Sequence, residues 1–245
     1  MDVKKRADII VKWIDDYCIK TTFDPKSLIV GISGGIDSSV SSTLSAMTGL
    51  KTIVLSMPIK QKENQHDLSL KHQNWLVEKF KNVEAHTLNL DQLFNSFSST
   101  LNKFDNEHGF ANSRARLRMA TLYQVAAANK GIVVGTGNKV EDFGVGFYTK
   151  YGDGGVDISP IADCNKTEVW ELGKELGILK EIIDAPPTDG LWDDGRTDEG
   201  QLGFSYKDLE DAMKNPDSPH KTEYEKIRKQ NLHKMEPIPV CKIPS

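Results

Sequence analysis

Between residues 28 and 135 four short apolar runs alternate with longer segments of helical periodicity, and this alternation restricts the fold more than any other feature. The runs are Leu28–Ile32, Thr52–Met57, Val83–Leu90 and Gly131–Gly135, with helices expected at about 38–48, 63–80, 91–104 and 112–130. Ile132, Val133 and Val134 stand in succession, as in a strand buried on both faces of a parallel sheet covered by helices. The pattern predicts an α/β fold: a doubly wound, mainly parallel sheet with helices on both faces and ligands at the carboxyl ends of its strands. An amphipathic helix over 3–20, with Ile9, Ile10, Trp13, Ile14 and Tyr17 on or near one face, precedes the first strand. The 245 residues suit one domain with a sizeable core.

A formal net charge of −4 argues against a dominant nucleic-acid surface. The N-terminal MDVKKRADIIVKWIDDY spreads charge through what would be a signal-peptide core, and no run is long enough for a bilayer. Cys18, Cys164 and Cys241 form no C-x-x-C pair and read as reduced thiols of a cytoplasmic protein.

Beyond residue 135 the periodicity weakens. Residues 136–163 are rich in Gly and Asp, and a helix opens at Asn165 with Glu168 as its capping-box partner. Residues 185–203, APPTDGLWDDGRTDEGQLG, read either as a mobile surface loop or as an active-site lid. A helix is expected at 221–232, and the tail after it carries three prolines that forbid regular structure.

The turn from first strand to first helix of the sheet reads VGISGGIDSS, residues 30–39. Glycines at such a turn let backbone amides approach an anion, and Ser33, Ser38 and Ser39 add hydroxyl donors. A G-x-x-x-x-G-K-[ST] loop needs a lysine where Ile36 stands, and the G-x-G-x-x-G spacing is also absent. Asp37 would repel phosphate unless a cation lay between them, so it reads as a magnesium ligand.

SGGIDSS resembles the SGGxDS signature of the ATP pyrophosphatases, of adenine nucleotide alpha-hydrolase-like fold, which cleave ATP to AMP and pyrophosphate. Three further stretches narrow the likeness. NSRARLRMATLY (112–123), GTGNKVEDFGVGFYTKYGDGGVDISPIADCNKTEV (135–169) and the HK pair at 233–234 resemble ammonia-dependent NAD synthetase. The resemblance implies an amide-forming ligase of NAD biosynthesis that converts deamido-NAD, ATP and ammonia to NAD, AMP and pyrophosphate. Gly31, Ile32, Ser33, Gly34, Gly35, Ile36, Asp37 and Ser38 are then similar to the ATP-phosphate loop, with Thr136, Lys166 and Thr188 as further ATP contacts. Arg116, Lys150, Asp157, His233 and Lys234 resemble the deamido-NAD contacts, the last two returning on the C-terminal tail. Magnesium would be held by Asp37 and Glu141, with Asp142 as the competitor for the second place. The resemblance also implies a homodimer, to which helices within 91–130 would contribute. With the ATP-binding core starting near residue 25, no glutaminase domain is expected, and free ammonia is the expected donor.

The chemistry agrees with these assignments. A carboxylate resists ammonia because it is already negative and would have to expel oxide; transfer of AMP supplies a stable leaving group. Such an enzyme needs cations to offset the triphosphate and a second cationic site for the substrate, and no nucleophilic side chain. In the arginine run, at ~100° per residue, Arg114 and Arg118 share a helix face opposite Arg116, which is the one expected at substrate. Ala115, Met119, Leu122 and Ala126 form the expected core stripe. His66, His72, His86 and His108 have no metal-ligand spacing and read as surface or packing residues. Thr188 and Trp192 would let a loop at 189–203 close over a water-sensitive intermediate.

Overall fold

The computed structural model describes residues 1–60, 63–188 and 198–243. Its sheet has four parallel strands, β1 (Ser27–Gly31), β2 (Lys51–Ser56), β3 (Val83–Thr87) and β4 (Gly131–Val134), in the order β3-β2-β1-β4. Val30 pairs with Val54 on one side and Val134 on the other. The third strand ends earlier than its apolar run, at the exposed edge of the sheet.

Helix α1 (Val3–Lys20) precedes β1, and α2 (Ile36–Met47), α3 (Glu63–Lys79), α4 (Asp91–Thr100) and α5 (Glu107–Ala128) follow in chain order. Alternate strand residues feed two separate cores. Leu28, Val30, Val54, Ile132 and Val134 pack with Ile10 and Ile14 of α1, Val40 and Leu44 of α2 and Leu76 of α3. Ile29, Ile53, Leu55 and Val133 face the other way, onto Phe94 of α4 and Met119, Leu122 and Ala126 of α5. This two-sided burial is why β4 can be apolar at every position. Truncating any one of these fully buried aliphatics costs about 2–5 kcal/mol.

Helix α1 covers the predicted range, but its buried stripe is Ala7, Ile10, Ile14 and Cys18. Ile9, Trp13 and Tyr17 remain 47%, 44% and 38% exposed, one stripe away from the sheet.

After β4 come α6 (Lys166–Glu175), α7 (Lys180–Ile183), α8 (Asp198–Leu202), α9 (Tyr206–Lys214) and α10 (Lys221–Met235). Helix α9 buries Tyr206, Leu209 and Ala212 in a third core with Val140, Val145 and Tyr224. The chain runs from β1 through β2 to β3 on one side, then crosses to β4 on the other. The carboxyl ends of β1 and β4 therefore flank the point where strand order reverses, the place where such sheets hold ligands.

Candidate active site

The loop after β1 is closed by its own serines. Ser33 Oγ lies 3.0 Å from Ser38 Oγ and accepts the Gly35 N–H at 3.2 Å, while the Ser33 N–H donates to Ser38 Oγ at 3.2 Å. Gly34 has φ +88°, a left-handed conformation that favours glycine. Gly35 caps α2 without a side-chain hydrogen bond to its first turn. The loop thus presents a helix start, Gly-flanked amides and two hydroxyls, as anion binding requires. Ser38 and Ser39 are both buried and both donate to the Gly35 carbonyl, at 3.1 and 2.9 Å, so they hold the loop from below, with Ser38 also meeting the exposed Ser33 hydroxyl.

The loop after β4 lies alongside. Gly135 donates to the Ile158 carbonyl at 2.7 Å, Thr136 is half-buried, and Asn138 is fully buried. Asn138 Nδ2 donates to Asp37 Oδ1 at 3.1 Å, and its Oδ1 accepts from the N–H groups of Val140 and Glu141 at 3.0 and 3.1 Å. One carboxamide therefore ties the two loops together and sets the start of the π-helical turn Glu141–Val145. Helix α10 braces that turn, with Arg228 donating to the Phe143 and Gly144 carbonyls and Asn231 to that of Val145.

Lys166, the first residue of α6, joins the loops. Its Nζ donates to Asp37 Oδ2 at 2.5 Å and Glu141 Oε1 at 2.8 Å, and its side chain is 2% exposed. Glu168 Oε2 accepts the Asn165 N–H at 2.8 Å, the expected capping contact that fixes the start of α6. Burial opposes charge on Lys166, but Asp37 and Glu141 outweigh it and raise its pKa. Burial pushes Glu141 upward, yet Lys166 and the donors around it prevail and hold it below the usual range. Asp37 is raised by burial, partly countered by Lys166 and reinforced by the charge of Glu141. Asp142 does not share this contact. An ideal Cβ on Gly137 would fall 1.9 Å from Asp142 Oδ2, so a side chain there would have to displace the Asp142 carboxylate. Burial, then Asp153, Glu141 and Asp37, raise the Asp142 pKa well above its ordinary value.

A second set of cations meets on the other side of the turn. Arg116 Nε donates to the Lys150 carbonyl at 3.2 Å, Lys150 Nζ to the His233 carbonyl at 3.0 Å, and Lys234 Nζ to the Tyr148 carbonyl at 2.9 Å. His233 and Lys234, expected on the irregular tail, lie in the last turn of α10 and meet Lys150 and Tyr148 beside the TKYGDGG segment. The glycines there have steric causes: a Cβ at Gly154 would lie 2.3 Å from the Tyr148 ring, and one at Gly152 would lie 2.8 Å from Ala115 Cβ. Asp157 sits apart from this cation cluster in its bonding: Oδ2 accepts the Val133 N–H at 2.7 Å and Oδ1 the Tyr123 hydroxyl at 3.0 Å. Arg118 donates to the Met57 carbonyl and Arg114 lies over the Phe94 ring, so the arginine run splits as its spacing predicts.

A family model described as NAD synthase matches residues 7–243. The chain belongs to the NAD synthase family. That family makes NAD from deamido-NAD, ATP and ammonia, and this member is an enzyme of NAD biosynthesis. It is 35% identical over 257 aligned positions to the NH(3)-dependent NAD(+) synthetase of Alkaliphilus oremlandii, covering 99% of this chain and 98% of the relative. It is 37% identical over 213 positions to that of Carboxydothermus hydrogenoformans, covering 84% of each. Among solved structures, NMN synthetase from Francisella tularensis superposes with TM-score 0.90 at 30% identity, over 99% of this chain and all of that one. The NH3-dependent NAD synthetase from Campylobacter jejuni, in complex with nitrate, has the same fold at TM-score 0.79 and 23% identity, over 99% and 100%.

Two further residues, Asn138 and Tyr206, lie in the site without having been expected there. Asn138 stands inside GTGNKVE and was open to detection; its buried cross-link was not. Tyr206, 2% exposed, donates its hydroxyl to Glu141 Oε1 at 2.5 Å; the S-x-x-D pattern of Ser205 and Asp208 marks the start of its helix, but nothing local points that start at Glu141. Thr188 is half-buried at the end of a described stretch. Residues 189–197 of the expected lid, Trp192 included, lie outside the described residues; its last part, Asp198–Leu202, is α8.

Proposed function

We propose that Asp37 and Glu141 hold magnesium with ATP, that the 31–38 loop holds the β- and γ-phosphates, and that Arg116, Lys150, Asp157, His233 and Lys234 hold deamido-NAD. The carrying observation is the convergence of Asp37 and Glu141 on one buried ammonium beside the phosphate loop. Two carboxylates and few other protein ligands suit a hard cation that takes its remaining oxygens from phosphate. When bound, the metal offsets charge on the triphosphate as pyrophosphate departs. The amides of Gly34 and Gly35 and the hydroxyls of Ser33 and Ser38 bind the terminal phosphates. Thr136, Thr188 and Lys166 complete the ATP site, Lys166 bringing a cation to the phosphorus under attack. A substrate carboxylate oxygen displaces pyrophosphate from the α-phosphorus. Ammonia then attacks the acyl carbon, AMP leaves, and the extra proton passes to water. No side chain serves as a covalent nucleophile.

Incubation with ATP, magnesium, ammonium and deamido-NAD should release AMP and pyrophosphate in equal amounts with NAD. ADP and inorganic phosphate as first products would sink this reading. A second acceptor has its own support, the TM-score of 0.90 to an NMN synthetase. Nicotinate mononucleotide carries the same carboxylate and lacks the adenylate half. A higher kcat/KM for it than for deamido-NAD would make the mononucleotide the preferred acceptor of this chain.

The working form in this proposal is a cytoplasmic homodimer. Leu93 and Phe104, 48% and 78% exposed near α4, and Tyr123 of α5 are apolar surface within the expected 91–130 contact. Light scattering giving the mass of one chain at micromolar concentration would exclude the dimer.

A further inference from the structure

Tyr206 is a buried residue whose side chain reaches two of the three charged groups of the site, Glu141 and Lys166. Its hydroxyl donates to Glu141 Oε1 at 2.5 Å, and Lys166 Nζ lies 4.9 Å from its ring centroid. The ring is itself held edge-on by Trp170 of α6, with centroids 5.7 Å apart at 87°. The backbone fixes where that ring stands. Tyr206 is the first residue of α9, whose capping box pairs the Ser205 N–H with Asp208 Oδ2 and the Asp208 N–H with Ser205 Oγ. Its own N–H donates to Glu199 Oε1 of α8 at 2.9 Å. Glu210 on α9 accepts from both the N–H and the hydroxyl of Thr167, at 3.0 and 2.8 Å, next to Lys166 itself. Helices α6 and α9 are thus cross-linked near their starts, and each presents its first residue to Glu141.

We propose that Tyr206 is a positioning residue for the adenylation step, holding the Glu141 carboxylate in one rotation for the metal and seating Lys166 against its ring. This inference rests on the reading of Asp37, Glu141 and Lys166 given above. Glu141 Oε1 takes two donors, Lys166 and Tyr206; with the phenol gone, that oxygen loses one of them and leans on a lysine it shares with Asp37. A carboxylate free to rotate binds a hard cation less tightly, because the ordering cost then falls on the binding step. The ring has a separate effect: an aromatic face beside a desolvated ammonium stabilises it where it lies.

Two variants separate these effects. Tyr206→Phe keeps the ring and the packing on Val140, Val145, Leu209 and Ala212, removing only the hydroxyl; Tyr206→Leu removes both. Metal binding is read directly, by electron paramagnetic resonance of manganese with a non-hydrolysable ATP analogue, alongside melting temperature, KM and kcat. For Y206F the expected result is about tenfold weaker metal binding, the loss of one hydrogen bond to a charged group, with kcat at saturating metal within about threefold of the parent. Y206L should add a fall in kcat at saturating metal. Asp37→Asn is the control for the underlying reading. If D37N weakens manganese binding and Y206F leaves it at the parent value, Tyr206 is packing alone and the inference is overturned. If D37N also leaves it unchanged, the metal reading falls and takes this one with it.

Discussion

The two charged regions of the molecule are built on opposite plans. In the buried one, Lys166 pairs with both Asp37 and Glu141, and Asn138 and Tyr206 each donate to one of the two carboxylates. In the outer one, Arg116, Lys150 and Lys234 donate to backbone carbonyls, which are neutral acceptors. A buried charge held by an opposite charge is expensive to disturb, because removing one partner strands the other in a poor solvent. A cation resting on a carbonyl retains its full charge for an incoming anion. The first plan suits chemistry that requires fixed geometry; the second suits capture of a large anionic substrate.

The contrast predicts a hierarchy of effects. Lys166→Met should be the most damaging change, stranding two carboxylates at a cost of about 3–5 kcal/mol and abolishing measurable AMP formation. A folded variant with parental melting temperature would show that the buried cluster is not held by charge.

Next is acid sensitivity. His72 on α3 is fully buried, 3.0 Å from Ser42 Oγ on α2, and burial pushes its imidazole down to about 4 from an ordinary 6.5. The unfolded chain therefore binds a proton that the folded chain refuses between those values. His72 contributes no penalty above about pH 6.5, and stability falls as pH drops from there through about 4, by up to ~3 kcal/mol. Urea unfolding across this range should show the loss, and His72→Asn should reduce the slope. An unchanged slope would move the acid sensitivity to the carboxylates around Lys166.

Arg116→Ala on the outer plan should cost less, about 1.5–3 kcal/mol, and chiefly as a raised KM for the dinucleotide with melting temperature unaltered. A matching loss in kcat and metal dependence would erase the division between the two regions. Smallest is Ser205→Ala, expected to lower stability by about 1 kcal/mol through loss of the α9 cap. Thermal unfolding tests it; a larger loss accompanied by weaker metal binding would tie the cap to the site through Tyr206.

Much of the site was legible from the chain because its parts stand next to strand ends or recurrent turns. Asp37 follows a glycine turn, Glu141 follows the β4 loop, and Lys166 opens a helix announced by Asn165 and Glu168. Less legible was which side of a helix faces inward. Ile9 is as apolar as Ile10 and Ile14, and Trp13 and Tyr17 carry large apolar rings, yet of these five only Ile10 and Ile14 are buried in the core beside the sheet. Periodicity places a stripe to within about a residue, and neighbouring helices choose the rest. Between Glu141 and Asp142 the register alone left the choice open; in the fold the first meets Lys166 and the second packs beneath Gly137.

By itself the sequence determined the parallel sheet, the glycine-rich turn after β1 and the identity of the charged residues. These depend on local periodicity, on glycine at a left-handed turn and on residue chemistry, all of which act over a few positions. Only the tertiary structure decided which charges share a position and which partners satisfy them. Lys166 stands 129 residues from Asp37, and Tyr206 stands 65 from Glu141. Such pairings form because α6 buries Val169 and Leu172 in the core beside α1 and α2, while α9 buries Tyr206, Leu209 and Ala212 on Val140, Val145 and Tyr224, and that packing brings their first residues to the same carboxylate.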